Sequence, residues 1–171
     1  MGPLPVSMIH DAPTDATTVL ELEQQARIKG TGLVAADLHG RWQLHQTWSR
    51  RDSAPPSLSL TLLRALQACL LLETSSDTLT IANQVSLGPV RLRFDGTASL
   101  QGRRPLLSFQ FNSMRLQVGS FTLLNQSMPA PKPQRRPFFA LIALGGERTW
   151  LCARGRGGGL ALWIRQADIT P

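Results

Sequence analysis

Residues 90–95 read Val90-Arg91-Leu92-Arg93-Phe94-Asp95, and they decide the fold class because apolar and polar side chains alternate along the whole segment. Side chains of a β-strand point alternately to the two faces of a sheet, so a period of two predicts a strand with one buried face. The same alternation recurs at 107–111 and at 114–118. These segments predict half-buried antiparallel strands.

Turn-forming residues divide the chain from Arg41 onward into similar short runs. Turns are expected at 75–77, 88–89, 102–104, 112–113, 145–146 and 155–159. Strands are predicted near 41–49, 69–74, 78–86, 90–100, 105–111, 114–124, 138–144, 148–154 and 160–166. Eight or nine strands joined by hairpins predict a mainly β protein, either a meandering antiparallel barrel or a sandwich.

An N-terminal helix is expected before the strands. Thr14 offers an N-cap, the helix runs to about Ile28, and Gly30 and Gly32 end it. The apolar side chains share one face and the acidic and amide side chains point elsewhere, so the helix packs on a larger body as a plug or a flank. The first set is Val19, Leu22 and Ala26, and the second is Glu21, Glu23, Gln24 and Gln25.

Length and composition predict a single soluble domain. The chain has 171 residues, which is about one domain at roughly 150 residues each. Residues 1–13 contain three prolines and no periodicity, so we expect a tail there, a single domain over 14–171, a short helix at 56–68 after the first strand, and a proline-rich loop at 128–137. Neither a signal peptide nor a transit peptide is recognisable, which predicts a cytoplasmic protein. Cys69 and Cys152 lie in apolar runs and are expected as buried free thiols.

The net charge of +7 is unevenly distributed, since residues 1–37 hold five acidic and two basic residues (−3) and the remainder therefore carries +10. Three arginines are predicted on the outward face of the strands and two in the proline-rich loop. Three interpretations stay open: an ordinary solvated face, an arginine-rich codon bias, or a contact surface for an acidic partner or anionic lipid headgroups. The five arginines are Arg91, Arg93, Arg115, Arg135 and Arg136.

No catalytic or metal-binding motif is recognisable. The histidines His10, His39 and His45 form no HxxxH pair, the cysteines form no CxxC, and no GxSxG sequence is present. The glycine run at 155–159 lies between two predicted strands, which favours a hairpin over a phosphate loop or an RNA-binding segment. We therefore expect a protein that is not an enzyme, needs no metal or cofactor, and does not bind nucleic acid.

The inward face of the predicted strands is apolar and aromatic. A barrel of about eight strands either fills its interior with such side chains or leaves room for one apolar ligand. The sequence leaves both alternatives open. If a cavity exists, the candidates to line or close it are Trp42, Phe94, Phe109, Phe111 and Leu116.

Both ends of the chain carry motifs of known families. A Gly40-x-Trp42 pair at the first strand and Arg165 at the last resemble the calycin or lipocalin arrangement, in which a Trp packs under a basic side chain. The order of an N-terminal helix, Leu38-x-Gly40-x-Trp42 and Leu44-x-x-Thr47 is similar to the plastid lipid-associated proteins, also called fibrillins or plastoglobulins. Their closing Arg-Gly-Asp-x-Gly motif between two strands resembles residues 154–158 here.

The resemblance implies a lipocalin-like barrel that binds a lipid, carotenoid or prenylquinone near thylakoid membranes without catalysis. It also implies a fold-keeping role for Gly40, Trp42, Arg154, Gly155 and Gly158, with Arg165 added by analogy with calycins. Arg156 departs from the family's Asp, so any salt bridge of that Asp is lost. The missing transit peptide favours a cyanobacterial type of member.

Two further functions remain alternatives. The first is a structural or assembly protein whose filled barrel docks through its basic face onto an acidic photosynthetic complex. The second is a chaperone similar to the phycobilin lyases, which also use calycin barrels and whose bilin carries propionates that arginine could bind. No acidic residue is clearly placed to activate a bilin.

Overall fold

The computed structural model describes residues 11–49 and 68–167. Helix α1 spans Ala16–Lys29, and 3₁₀ turns lie at Ala35–Leu38, Pro133–Arg135 and Gly146–Arg148. The strands are β1 Gly40–Trp48, β2 Cys69–Ser75, β3 Thr78–Leu87, β4 Val90–Gln101, β5 Leu106–Val118, β6 Phe121–Ser127, β7 Phe138–Leu144, β8 Trp150–Gly155 and β9 Leu160–Gln166. Apart from Ala68, the short helix predicted at 56–68 falls outside the described residues.

The strands close into a barrel, which confirms the predicted mainly β class and selects the barrel over the sandwich. Each of β1 to β5 pairs antiparallel with the next, β5 pairs with β7, and β7, β8 and β9 continue in order. The pairing of β9 with β1 completes an eight-stranded ring, and β6 adds a ninth strand to the outer half of β5. Full closure leaves none of these eight strands with a free edge within the ring.

One strand boundary was predicted wrongly. The expected turn at 112–113 does not exist, because β5 continues through it as a bulge in which Asn112 is the extra residue between the Gly96–Phe111 and Asp95–Ser113 pairs. The chain reverses instead after Val118, where Gly119 takes a φ of 59°. A bulge and a turn use the same small polar residues, so composition alone did not separate them.

The Gly40-x-Trp42 motif of the first strand and Arg165 of the last strand meet at one end of the barrel. Trp42 is fully buried, and its indole N–H donates to the carbonyl oxygen of Leu38 at 2.9 Å. The Arg165 guanidinium carbon lies 5.8 Å from the centre of the Trp42 ring, a cation–π distance. A Cβ on Gly40 would lie 3.1 Å from the Nε of Arg165, so a side chain there would crowd this pair. The first and the last strand of the barrel therefore contact each other through Trp42 and Arg165.

Helix α1 is a flank on the outside of the barrel. Its side chains Val19 and Leu22 pack against an outer cluster formed by β7, β8 and β9, which includes Trp150 and Cys152. Asp15, rather than the predicted Thr14, caps the helix by accepting a hydrogen bond of 2.8 Å from the N–H of Thr18. The helix therefore covers an apolar patch that these strands present outward.

Glu23 was expected to point away from the barrel, and this prediction was wrong. It is 3% exposed and accepts hydrogen bonds of 2.7 and 2.5 Å from Arg154 on β8 and a further short one from Arg104 in the β4–β5 turn. These arginines hold its pKa at about 2, the hydrogen bond from Arg154 being the largest cause. The carboxylate that pairs with Arg154 therefore lies on α1. Arg156 donates a hydrogen bond to the carbonyl oxygen of Gln134.

The two cysteines are buried free thiols, as predicted. Burial raises the pKa of Cys152 to about 12 and also raises that of Cys69. A thiol is nucleophilic only as the thiolate, so neither side chain is suited to covalent chemistry at neutral pH.

Candidate functional site

Strands β3 to β6 extend beyond the barrel as a four-stranded sheet, which we call the apron. It comprises residues 83–87, 90–95, 113–118 and 121–127. The pairing of β3 with β4 continues to Leu87 and Val90, whereas that of β2 with β3 ends at Cys69 and Gln84. On the opposite edge of the apron, the pairing of β5 with β7 ends at Ser108, and β5 pairs with β6 from Ser113 onward. The apron therefore projects past the strands that close the barrel.

The two sides of the apron differ in character. The register aligns mainly apolar side chains on the side that continues the barrel interior, and we call this side the apron face. None of its side chains is buried, and Phe121 and Leu87 are 74% and 60% exposed. The apron face consists of the apolar residues Val85, Leu87, Val90, Leu92, Phe94, Met114, Leu116, Val118, Phe121 and Leu124, and of the amides Asn83 and Gln126 opposite Phe94 and Met114.

A cavity of about 190 Å³ lies where the barrel interior meets the apron. Its walls are formed by strands β1, β2, β3, β5, β7 and β9, and the residues that form them are apolar except for Cys69 and Asn83. The lining residues are Leu44, Ala68, Cys69, Leu70, Asn83, Val85, Phe109, Phe111, Phe139 and Trp163.

Aromatic rings run in an unbroken series from the barrel interior to the apron. Trp163 meets the ring of Phe139 edge-on at 5.2 Å, and Phe139 stacks on Phe109 at 5.2 Å. Phe109 then contacts Phe111 at 5.5 Å, and Phe111 contacts Phe94 at 5.6 Å. These centroid separations are typical of attractive ring pairs. The series fixes the walls of the cavity and leads from it onto the apron face.

The five residues that the sequence analysis proposed to line or close a cavity do not all lie at the cavity. Phe109 and Phe111 line the cavity. Phe94 packs on Phe111 at the mouth, and Leu116 lies farther out on the apron face. Trp42 lies elsewhere, fully buried in the core against Arg165. It belongs instead to the core cluster that includes Leu38 and Leu72.

Other lining residues were not singled out from the sequence. Val85 and Asn83 lie on β3. Residues 85–87 alternate in the same way as residues 90–95, and this alternation was the signal that could have found Val85, whereas the polar Asn83 does not follow it. Phe139 and Trp163 come from strands that are distant in sequence, and only closure of the barrel brings them beside Phe109. No local pattern indicates such a contact.

The other side of the apron is polar and basic, and we call it the polar face. Arg91 and Gln117 form one cross-strand pair on it, and Arg93 and Arg115 form another. Arg93 is paired with Asp95 at 2.7 Å, which raises the pKa of its guanidinium. The polar face also carries Gln84, Ser86, Thr122 and Asn125.

The remaining two arginines of the predicted basic surface lie away from the apron strands. Arg135 ends the 3₁₀ turn Pro133–Arg135 in the β6–β7 connection, and Arg136 follows it. Both are exposed. The chain thus distributes its five candidate arginines between the polar face and this connection.

The described lining of the cavity suits apolar contact. Its only titratable residue is Cys69, which pairs with Gln84 of the polar face, and burial raises the pKa of its thiol. Over residues 11–49 and 68–167 no group of three His, Cys, Asp or Glu side chains could hold a metal ion. The arrangement can bind a molecule by dispersion and by exclusion of water.

Comparison with protein-family models and with curated proteins gave no match for this chain. Among the described residues, no helix is both long and apolar enough to span a membrane.

Proposed function

We propose that the protein is a non-enzymatic binder of a small hydrophobic molecule. The observation that carries this proposal is the aromatic cavity of about 190 Å³ that opens onto the apron face. An apolar cavity of about 150 Å³ is large enough to hold benzene. The cavity therefore suits one ring or the end of an acyl or isoprenoid chain.

The apron face supports a ligand longer than the cavity. Val85 belongs both to the cavity lining and to the apron face, so the two apolar surfaces are continuous. A molecule with its ring or chain end beside Phe109 and Phe111 could lay the rest of its length along Leu92 and Leu116. Lipids, carotenoids and prenylquinones share this elongated apolar form. Their choice as ligand classes, and the photosynthetic membrane as a setting, rest on the family resemblance.

The proposal predicts saturable binding that depends on Val85. Replacing Val85 with Phe places a ring in the cavity mouth and should weaken binding at least about tenfold, which corresponds to roughly 1.4 kcal/mol. Binding is measured by quenching of tryptophan fluorescence, because Trp163 lies in the cavity wall. The probes are a prenylquinone with one isoprene unit, β-ionone and octanoic acid, which represent the three ligand classes.

Ser86→Phe is the matched control. Ser86 is the next residue of β3 and lies on the polar face, so the same ring added there leaves the cavity unchanged. We expect binding by this variant to equal that of the unmodified protein within about twofold. The proposal fails if none of the probes binds saturably, or if Val85→Phe and Ser86→Phe bind equally well.

A further inference from the structure

The apron face is mainly apolar and is open to solvent toward its outer margin. Strands about 4.8 Å apart and residues about 3.4 Å apart give it a flat footprint roughly 19 Å by 20 Å, or about 400 Å². The largest apolar patch on a soluble monomer is typically about 300–600 Å², and such a patch often marks a functional contact site. The four exposed residues Leu87, Val90, Phe121 and Leu124 lie toward its outer margin.

The distribution of charge decides between the possible binding partners of the apron face. No ionisable side chain lies on it, whereas Arg91, Arg93 and Arg115 all lie on the polar face behind it. An anionic membrane against the apron face would have these guanidinium groups directed away from its headgroups. An acidic protein would meet an uncharged surface. An identical uncharged face is the complement that brings no like charges together, even though each chain carries +7.

We propose that the apron face is covered by the apron face of a second copy of this chain. A twofold axis between the two faces makes the contact isologous, so each side chain meets the same surface of its partner. Two apolar sheets packed about 10 Å apart with their strands within about 30° form the core of a β-sandwich. The two flat footprints together amount to about 800 Å², below the roughly 1,200 Å² at which standard-size interfaces begin, so the contact is a weak and reversible one.

The proposed contact also accounts for the position of the cavity mouth. The cavity opens beside Asn83 and Val85, at the barrel end of the apron face. A second apron lying on this face would cover both mouths and exclude water from the aromatic series. A ligand confined to the cavity could stay bound there, whereas one that extends along Leu92 and Leu116 would have to displace the partner copy. The inference does not depend on ligand binding, because it follows from the exposed face alone.

The test is the oligomeric state of Phe121→Asp beside Thr122→Asp, measured by sedimentation velocity over a wide range of protein concentration. Phe121 lies on the apron face and is 74% exposed, so its replacement leaves the fold of each chain intact. Thr122 is the adjacent exposed residue and lies on the polar face. We expect Phe121→Asp to raise the dimer dissociation constant at least about tenfold, and Thr122→Asp to change it less than about twofold.

A second pair of variants guards against a local effect of Phe121. Leu124→Lys and Asn125→Lys add the same charge to the two faces of β6, and only the former should weaken the dimer. A chain that sediments as a monomer at every concentration would overturn the inference, as would equal weakening by both members of each pair. Co-sedimentation of the monomer with phosphatidylglycerol vesicles, lost in Phe121→Asp alone, would overturn it in favour of a lipid surface.

Discussion

Replacing Glu23 with Gln is expected to lower the free energy of unfolding by about 3 kcal/mol. Glu23 is the carboxylate between two arginines, one on β8 and one in the β4–β5 turn, and it fastens helix α1 to the barrel. The side chains of Arg104 and Arg154 are each only 23% exposed. Removing the negative charge leaves both guanidinium groups incompletely solvated. The loss is measured by chemical denaturation at neutral pH.

The pH dependence of stability supplies an independent measure of the same contact. The folded pKa of Glu23 is about 2, below its ordinary value of 4.5, because the folded state stabilises the charged form. Its contribution is therefore complete above pH 4.5 and is lost as the pH falls from 4.5 toward 2. A shift of this size corresponds to about 3 kcal/mol. The difference in the free energy of unfolding between the unmodified protein and Glu23→Gln should therefore become smaller as the pH falls from 4.5 toward 2.

Glu21→Gln is the control for this prediction. Glu21 lies on the same helix and is exposed, so its substitution removes an equal charge without touching the buried arginines. Its stability and its pH profile should match those of the unmodified protein within about 0.5 kcal/mol. Equal effects of the two substitutions would show that the helix is held by its net charge rather than by the ion pairs of Glu23.

The sequence was sufficient to predict the strands and the mainly β class but not the role of Glu23. Strand alternation is local, so residues 90–95 indicate a half-buried strand wherever the strand lies. The burial of Glu23 depends on Arg104 and Arg154, which are 81 and 131 residues away along the chain. A glutamate beside helical apolar residues is ordinarily exposed, and only tertiary pairing reverses that expectation.

The apron was beyond prediction for a related physical reason. The alternation of residues 90–95 and 114–118 identifies an apolar face, but whether that face lies inside the barrel depends on how far each neighbouring strand extends. Strand length and register are set by pairing between distant segments. The side chains that the sequence places on the inward face therefore lie in two different surroundings. Leu107 and Phe109 are core residues, whereas Leu92 and Val118 lie on the apron face.

Gly96 lies at the point where the barrel becomes the apron, and a glycine within a strand is the sequence signal for such a place. It pairs with Phe111 beside the bulge at Asn112. A Cβ at this position would lie 1.8 Å from the carbonyl oxygen of Gln110 and 2.8 Å from its carbonyl carbon. Both are backbone atoms of β5, so no side-chain rotation can relieve the overlap.

Gly96→Ala is therefore expected to destabilise the fold by about 3 kcal/mol or more, because β4 must separate from β5 to admit one methyl group. The pairing of β4 with β5 is part of the closed barrel, and its outer half forms the centre of the apron. Gly157→Ala is the control, since no atom lies within 4 Å of its added Cβ and its φ is not positive. Denaturation of both variants measures the difference. Equal stability of the two would mean that β4 and β5 do not approach closely at Gly96.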